Sequence, residues 1–432
     1  MRLYLAECRR ILFSLTWVVM AAVFVIFAVS QDVLPPSQPL QEPRPGGSYG
    51  GKASGNPDLI MPEALESLYG EFSANDYTTY PHGFIKTVRL KEKKRVQMAG
   101  ILSELTGKPA DELLKAGTDA SSQGMTFPYR GDELVPDEDG EVVILPPEAA
   151  SMSWGEPIVS LAQGVTWDRF QELMGEVDRL VGGGSSYAAE SLSSSFGMIP
   201  RTYEEAVADY RLIVSHDRFT GAHARLFSDY MGCMMGLLPV FLSVGFAMRD
   251  TREIRPAIYV REASSVHLVL ARFAALVTLS LLPALLMGAV LTGLHIEAYG
   301  AASVDLLAYP KYILAWLLPT AMAAISVGLF FTTLTGTPAG VAVQLIWWFL
   351  DLNGGLPGGL TGNYAGRLSP RHNSLGATQV YLDHFGELVR NRAAIALIAL
   401  ILVGLTIAVL EGKRRGKLDV SLPRFDKRDP KA

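Results

Sequence analysis

Long apolar runs without a single charge constrain this chain more than any other feature. The segments 11–29 and 393–410 contain no Asp, Glu, Lys or Arg, and three further segments are equally free of charge. An α-helix needs roughly 20 such residues to cross about 30 Å of hydrocarbon. Only 19% of the 432 residues are charged, against about 25% in soluble domains. These features predict a polytopic membrane protein with a polar insert and exclude a wholly soluble enzyme.

Six apolar segments predict six transmembrane helices. In chain order they are 11–29, 230–248, 273–294, 312–331, 338–352 and 393–410. The fifth has only 15 residues unless it extends into 332–334, so its limits are the least defined. The first could instead be a signal peptide, since Ala28-Val29-Ser30 suits a cleavage site. Its 19 apolar residues exceed the about 7–15 of a signal h-region, which favours a retained anchor.

The charges are unevenly distributed along the chain. Residues 31–227 hold 17 Lys/Arg and 29 Asp/Glu, whereas 1–10, 249–272 and 411–432 together hold 16 and 8. Short positively charged loops stay in the cytoplasm, and long domains translocate largely regardless of charge. We therefore expect 31–229 to lie outside the cell and both termini to lie in the cytoplasm. The expected location is the plasma membrane, in bacteria the cytoplasmic membrane.

The outer domain is predicted to be α-rich with a few short strands. It begins with a flexible linker at 34–57, whose Pro, Gly and Ser content is too high for a packed core. Helical patterns follow at 59–70, 91–105, 167–181 and 201–230, and strand patterns at 84–90 and 142–145. The helix at 91–105 is expected to bury one face made of Val96, Ala99, Leu102 and Leu105.

The sequence predicts no catalytic, cofactor-binding or metal residues. A P-loop needs Gly-Lys followed by Ser or Thr to bind phosphate and Mg²⁺. The acidic run 137–141 lacks the ligand spacing of a Ca²⁺ loop, and His216 and His223 lack a third ligand. The Gly-Lys pairs, none of which is followed by Ser or Thr, lie at 51–52, 107–108, 412–413 and 416–417. Any ATP and Mg²⁺ would therefore be bound by another polypeptide.

The loop 249–272 is the most informative polar segment. Its sequence, RDTREIRPAIYVREASSVHLVLAR, combines charges of both signs with a helical pattern at 257–263. A charged helix on the cytoplasmic surface suits the docking of a soluble partner. The alternative is a solvated loop whose charges only follow the positive-inside rule.

Around this loop the chain resembles the permease subunits of ABC-type exporters of the ABC-2 family, which have the type V exporter fold. The usual Gly-Thr is missing, and Glu262 stands where a Pro is common. The resemblance implies six spans, a large outer domain, re-entrant segments within 353–392 and an interfacial helix at 1–10. From the residues alone, 1–10 could equally be an ordinary positive flank. The matching positions are Arg252, Glu253, Ile258-Tyr259-Val260, Ser264 and Leu270-Ala271-Arg272-Phe273.

The resemblance implies a permease that forms the translocation pathway of an ATP-driven exporter. Its implied partners are separate ABC ATPase subunits, a second permease copy or a paralogue, and membrane lipids, but no nucleic acid. The apolar spans favour amphipathic peptides or lipids as substrates over small ions. Two other classes stay open: a membrane-anchored sensor or scaffold that displays 31–227, and, less favoured, an intramembrane or outer-face enzyme. The residues expected to dock the ATPase are Arg252, Glu253, Arg261, Glu262, Ser264 and Arg272.

Overall fold

The protein is mostly helical and divides into two compact units. The computed structural model describes residues 2–31, 39–80, 86–115, 134–136, 142–144, 159–252, 264–353 and 361–418. One unit, here called the bundle, comprises Met1–Gln41, Asp209–Leu352 and Thr361–Ala432. The other, here called the inserted unit, comprises Glu42–Ala208 and Asn353–Leu360.

The helices and strands follow one another in a simple order. The helices are α1 (Arg2–Leu12), α2 (Leu15–Ser30), α3 (Pro57–Ala74), α4 (Glu92–Thr106), α5 (Trp167–Val181), α6 (Ala189–Ser195), α7 (Tyr203–Leu212), α8 (Thr220–Met235), α9 (Leu238–Arg252), α10 (Ser265–Tyr299), α11 (Ala308–Thr335), α12 (Ala339–Asn353), α13 (Thr378–Asp383) and α14 (Phe385–Arg414). The strands are β1 (Gly51–Ala53), β2 (Tyr77–Thr79), β3 (Lys86–Val88), β4 (Leu134–Pro136), β5 (Val142–Ile144) and β6 (Met198–Pro200). A π-helical turn, Ile213–Asp217, follows α7, and a second, Ile313–Leu317, lies within α11.

Within the described residues, four stretches of helix are long and apolar enough to cross a membrane, so the chain is a membrane protein. They are the continuous α8–α9 stretch Thr220–Arg249, α10, α11 and α14. Helices α1 and α2 pass the same test together, but the chain bends by 66° between them. Helix α12 has only 15 residues. The predicted count of six spans is therefore reached only if α1 and α2 together form one span and α12 forms another.

The bend between α1 and α2 interrupts the apolar run that predicted one span over 11–29. The hydroxyl of Ser14 donates a hydrogen bond to the carbonyl of Ile11 (2.7 Å) and accepts one from the amide of Trp17 (3.2 Å). Ser14 thus ends one helix and caps the next, which apolar content alone does not indicate.

The membrane helices extend beyond the predicted spans. Helix α8 begins at Thr220 rather than 230, and α14 begins at Phe385 rather than 393. Predicted spans stop at charged residues, whereas Arg225, Asp229 and Arg392 lie buried inside these helices. Buried charges are tolerated when they are paired and hydrogen-bonded.

The bounds of the polar segments shift accordingly. The first segment of the inserted unit ends at Ala208, whereas the outer domain is predicted to extend to 229. The helix predicted over 201–230 is broken at Arg218 and Phe219, whose φ angles are +47° and +56°. Helices occupy both ends of the segment predicted as the loop 249–272, because α9 runs to Arg252 and α10 begins at Ser265. The helical pattern predicted at 257–263 lies outside the described residues.

The inserted unit has a hydrophobic core of its own between α3, α4 and α5. Its core includes Leu65, Leu102 and Phe170, each fully buried. Helix α5 has the predicted bounds, and α4 is displaced by one residue. Within α4, Ala99, Leu102 and Leu105 are buried as expected. Val96 is 48% exposed, so the expected face was wrong at that position.

The ends of the inserted unit meet at a two-stranded antiparallel sheet. Strand β1 pairs with β6, with Gly51 opposite Pro200. The predicted linker over 34–57 is therefore too long, since part of it is this strand. Composition did not indicate the strand because its partner lies almost 150 residues further along the chain. The predicted strand regions 84–90 and 142–145 contain β3 and β5.

Candidate functional site

Of the six predicted docking residues, the structure positions the side chains of two, Ser264 and Arg272. Ser264 caps α10: its hydroxyl accepts a hydrogen bond from the amide of His267 (3.3 Å). Arg252 is the last residue of α9, and its side chain is outside the described part of the chain. The other three, Glu253, Arg261 and Glu262, also lie outside the described residues.

Arg272 lies within α10 rather than in a loop, and its charge is paired inside the bundle. Its Nη2 is 3.3 Å from Oε1 of Glu7 in α1, and the two residues are 9% and 7% exposed. A second cation, Arg10, lies 3.9 Å from the same carboxylate. Arg272 therefore holds α1 against the start of α10 and is poorly placed to meet a soluble partner directly.

Further hydrogen bonds join the helices at this end of the bundle. Ser265, at the start of α10, donates to Oε2 of Glu411 in α14 (2.7 Å) and accepts from Arg414 (3.1 Å). Lys413 donates to two carbonyls in the last turn of α11, at 2.7 and 2.9 Å. A cation at this position also complements the negative end of the helix dipole. The helices α1, α10, α11 and α14 are thus connected at the end of the bundle where α10 begins.

Toward the opposite end, the segment 361–378, which is irregular up to the start of α13 at Thr378, packs among the membrane helices. Backbone outside a helix must find hydrogen-bond partners when it lies away from water. The carboxylate of Asp351 accepts from the amides of Leu368 (2.7 Å) and Ser369 (3.0 Å). Oδ2 of Asp229 accepts from the amides of His372 (2.9 Å) and Asn373 (2.5 Å). These acids act as caps for the irregular backbone.

Arg392 satisfies the carbonyls of the same segment. The side chain is buried in α14 and donates to the carbonyls of Arg367 (2.7 Å) and Leu368 (3.1 Å). It also donates to the carbonyl of Trp316 (3.2 Å) and to the hydroxyl of Thr320 (2.8 Å), both in α11. One guanidinium therefore links α11, α14 and the irregular segment.

Two ion pairs complete this buried network. Arg225 and Asp217 form two hydrogen bonds of 3.1 and 3.0 Å, and neither residue is more than 3% exposed. The hydroxyl of Thr378 donates to Asp217 (2.7 Å) and accepts from Arg225 (3.1 Å). Beside this pair, Nε of Arg371 lies 2.6 Å from Oδ1 of Asp229.

His372 is held in one neutral tautomer. Its Nδ1 accepts from the hydroxyl of Tyr364 (2.6 Å), and its Nε2 donates to the carbonyl of Gly376 (2.9 Å). The neutral imidazole fastens the irregular segment and adds no charge to it.

The network anchors structure rather than supplying a reactive group. Its buried carboxylates accept backbone amides or ion pairs, and its guanidiniums donate to carbonyls and carboxylates. We did not predict these residues, although Arg225 and Asp229, four apart beside an apolar run, are a signal for one charged helix face. Within the described residues, no group of three or more His, Cys, Asp or Glu side chains is arranged to hold a metal ion.

The inserted unit contains one match to a catalytic sequence motif. Residues 46–50 match the G-x-S-x-G pattern of hydrolases, but they lie in an irregular stretch that begins in a turn and precedes β1. A nucleophile elbow needs a strand-to-helix turn, so the match carries no catalytic meaning.

The inserted unit also has a groove between α4 and α5 that is lined by charges of both signs. Among them, Glu104 and Arg169 are joined by hydrogen bonds of 2.7 and 3.0 Å.

Comparison of the chain with family models, with curated proteins and with solved structures found no match.

Proposed function

We propose that this chain is the permease subunit of an ATP-driven exporter of the ABC-2 type, coupled to separate ATPase subunits that bind ATP and Mg²⁺. The proposal rests on the resemblance around the 249–272 loop. One structural observation carries it further: the loop joins α9 to α10 at the end of the bundle where α1, α10, α11 and α14 are hydrogen-bonded together.

That arrangement suits the transmission of a mechanical input. A force on the 253–263 loop acts directly on the start of α10. The Glu7–Arg272 pair passes it to α1, and the Ser265–Glu411 contact passes it to α14. Binding energy from an ATPase that closes on ATP could therefore move several helices of the pathway at once.

The remaining parts of the proposal rest on the charge distribution, on the apolar segments and on the resemblance. The basic segments would face the cytoplasm of a bacterial cell, both termini included, and the inserted unit would lie outside. Six crossings would be completed by α1–α2 and by α12. A second permease copy or a paralogue would form the other half of the pathway within membrane lipids.

Reversing two charges in the loop tests the coupling. Glu253→Arg combined with Arg261→Glu keeps the net charge and should abolish co-purification of the ATPase in mild detergent, together with its stimulated turnover. Removing one partner of an interfacial charge pair costs about 2–5 kcal/mol. The matched control is Arg424→Glu with Asp426→Arg in the basic tail, which should change neither result. Unchanged co-purification and turnover in the loop variant would contradict the proposal and favour a sensor or scaffold.

A further inference from the structure

Two histidines on different helices meet in the bundle, close to the ends of both helices. His223 in α8 and His295 in α10 are 4% and 0% exposed, and their ring centroids are 4.5 Å apart. Nδ1 of His223 lies 3.1 Å from the carbonyl of Phe219, and Nδ1 of His295 lies 2.7 Å from that of Leu291. A carbonyl only accepts, so each Nδ1 carries the proton and each neutral ring keeps its lone pair on Nε2.

Three buried polar atoms of this cluster have no hydrogen-bond partner among the described residues. They are Nε2 of His223, Nε2 of His295 and the hydroxyl of Tyr309 in α11. The ring of Tyr309 is 5.9 Å from that of His295. Both imidazole nitrogens are acceptors, so they cannot pair with each other. Each buried unpaired group costs about 1–3 kcal/mol, and such groups in a folded protein call for an explanation.

We infer that His223 and His295 bind a late first-row transition-metal ion, Zn²⁺ being the probe of choice, through their Nε2 atoms. Histidines that bind metals almost always donate the other ring N–H to a carbonyl, a carboxylate or water, as both do here. Neutral imidazole nitrogen suits Zn, Cu and Ni. With Zn–N bonds of about 2.0–2.1 Å, two ligating nitrogens lie ~3–4 Å apart. A centroid separation of 4.5 Å is compatible with this spacing.

The phenol of Tyr309 completes the donor set. When Zn²⁺ binds, the phenol loses its proton to solvent and a Zn–O bond forms, so one proton is released for each ion bound. The anionic oxygen lowers the net charge that must be buried. A carboxylate is not available for this purpose at Asp217, whose two oxygens are engaged by Arg225.

The cluster lies about one helical turn from the ends of two helices. His223 is the fourth residue of α8, and His295 lies four residues before the end of α10. An ion arriving at the end of the bundle therefore crosses about one helical turn, ~5 Å, of protein. Once bound, it would join α8, α10 and α11, independently of any transport activity.

The full-length protein in detergent, stripped with a chelator, should bind Zn²⁺ with a stoichiometry of one ion per chain. Titration calorimetry in two buffers of different protonation enthalpy should report one proton released per ion. His223→Asn and His295→Asn place an amide near the Nδ1 position but lack Nε2, and each should weaken binding at least ~10-fold. Tyr309→Phe should bind more weakly and release no proton.

The control variant is His216→Asn, which changes an exposed histidine seven residues before His223 and should bind like the wild type. Melting curves of the metal-free variants show that each is folded before its affinity is compared. Absence of saturable binding in the wild type overturns the inference. Binding that survives both His223→Asn and His295→Asn overturns it as well, because the ion would then lie elsewhere.

Discussion

Arg225 and Asp217 show how this bundle keeps a charge in its interior. Removing two charges from water costs several kcal/mol for each ion, and that cost is recovered only with good geometry and further hydrogen bonds. Here two parallel hydrogen bonds join the pair, Thr378 bridges it, and the guanidinium lies 4.8 Å from the ring centroid of Tyr381. Each charge is stable in the interior only while the other is present.

Truncating one partner of this pair should therefore be more harmful than replacing both. We expect Arg225→Met to lower stability by about 3–5 kcal/mol, because Asp217 is left buried and unpaired. The double variant Arg225→Met/Asp217→Leu should recover part of that loss. Thermal unfolding of detergent-solubilised protein, followed by circular dichroism, compares the two variants. A double variant no more stable than Arg225→Met would show that the pair is not a coupled unit.

At the scale of helices, close packing depends on small residues where α9, α11 and α12 meet. A Cβ added at Gly340 would lie 2.8 Å from the Cα of Gly328 on the neighbouring helix. A Cβ at Gly328 would overlap the hydroxyl of Ser243. Without a strong hydrophobic force between helices in lipid, such backbone approach is a main source of helix association.

Gly340→Ala should therefore destabilise the bundle by about 1–3 kcal/mol, the usual cost of overpacking. The clash is with backbone, which cannot rotate away as a side chain can. Gly245→Ala is the matched control, since Gly245 lies in α9 and a Cβ there meets nothing within 4 Å. Helix propensity should make that change neutral or slightly stabilising. Equal melting temperatures for the two variants would contradict the close packing.

Helix existence was predictable from the sequence, but several helix limits were not. Apolar runs and amphipathic periods are local, so they predicted the long helices and the bounds of α5. The limits of α8 and α14 depend on partners that are distant in sequence. Asp229 pairs with Arg371, and Arg392 caps the carbonyl of Arg367. The buried network escaped prediction for the same reason: its residues come together only through tertiary structure.

Over the whole molecule, the path of the chain after α11 decides the number of crossings. Helix α12 is about 22 Å long, shorter than the ~30 Å hydrocarbon core. It runs beside α8–α9, where Trp348 donates to the carbonyl of Cys233 (2.8 Å). The segment 361–378 then continues along α8, from Ser369 beside Gly232 to Thr378 beside Arg225. This path supports counting α12 and 361–378 together as one crossing.

An even number of crossings predicts that both ends of the chain lie on the same side of the membrane. Single cysteines in a background without Cys8 and Cys233 test this with a membrane-impermeant thiol reagent. We expect labelling of intact cells at two of the four positions. The labelled positions should be 45 and 383, the second being an exposed position at the end of α13, and the protected ones 255 and 420.

Labelling after cell lysis is the control, because all four cysteines must then react. If 420 reacts from outside while 45 also does, α12 and 361–378 do not complete a crossing and the number of spans is odd. If 255 reacts from outside, the loop between α9 and α10 cannot meet a cytoplasmic ATPase, and the transport proposal fails with it. The positive-inside balance makes that outcome unfavourable, since 249–272 carries five Lys/Arg against three Asp/Glu.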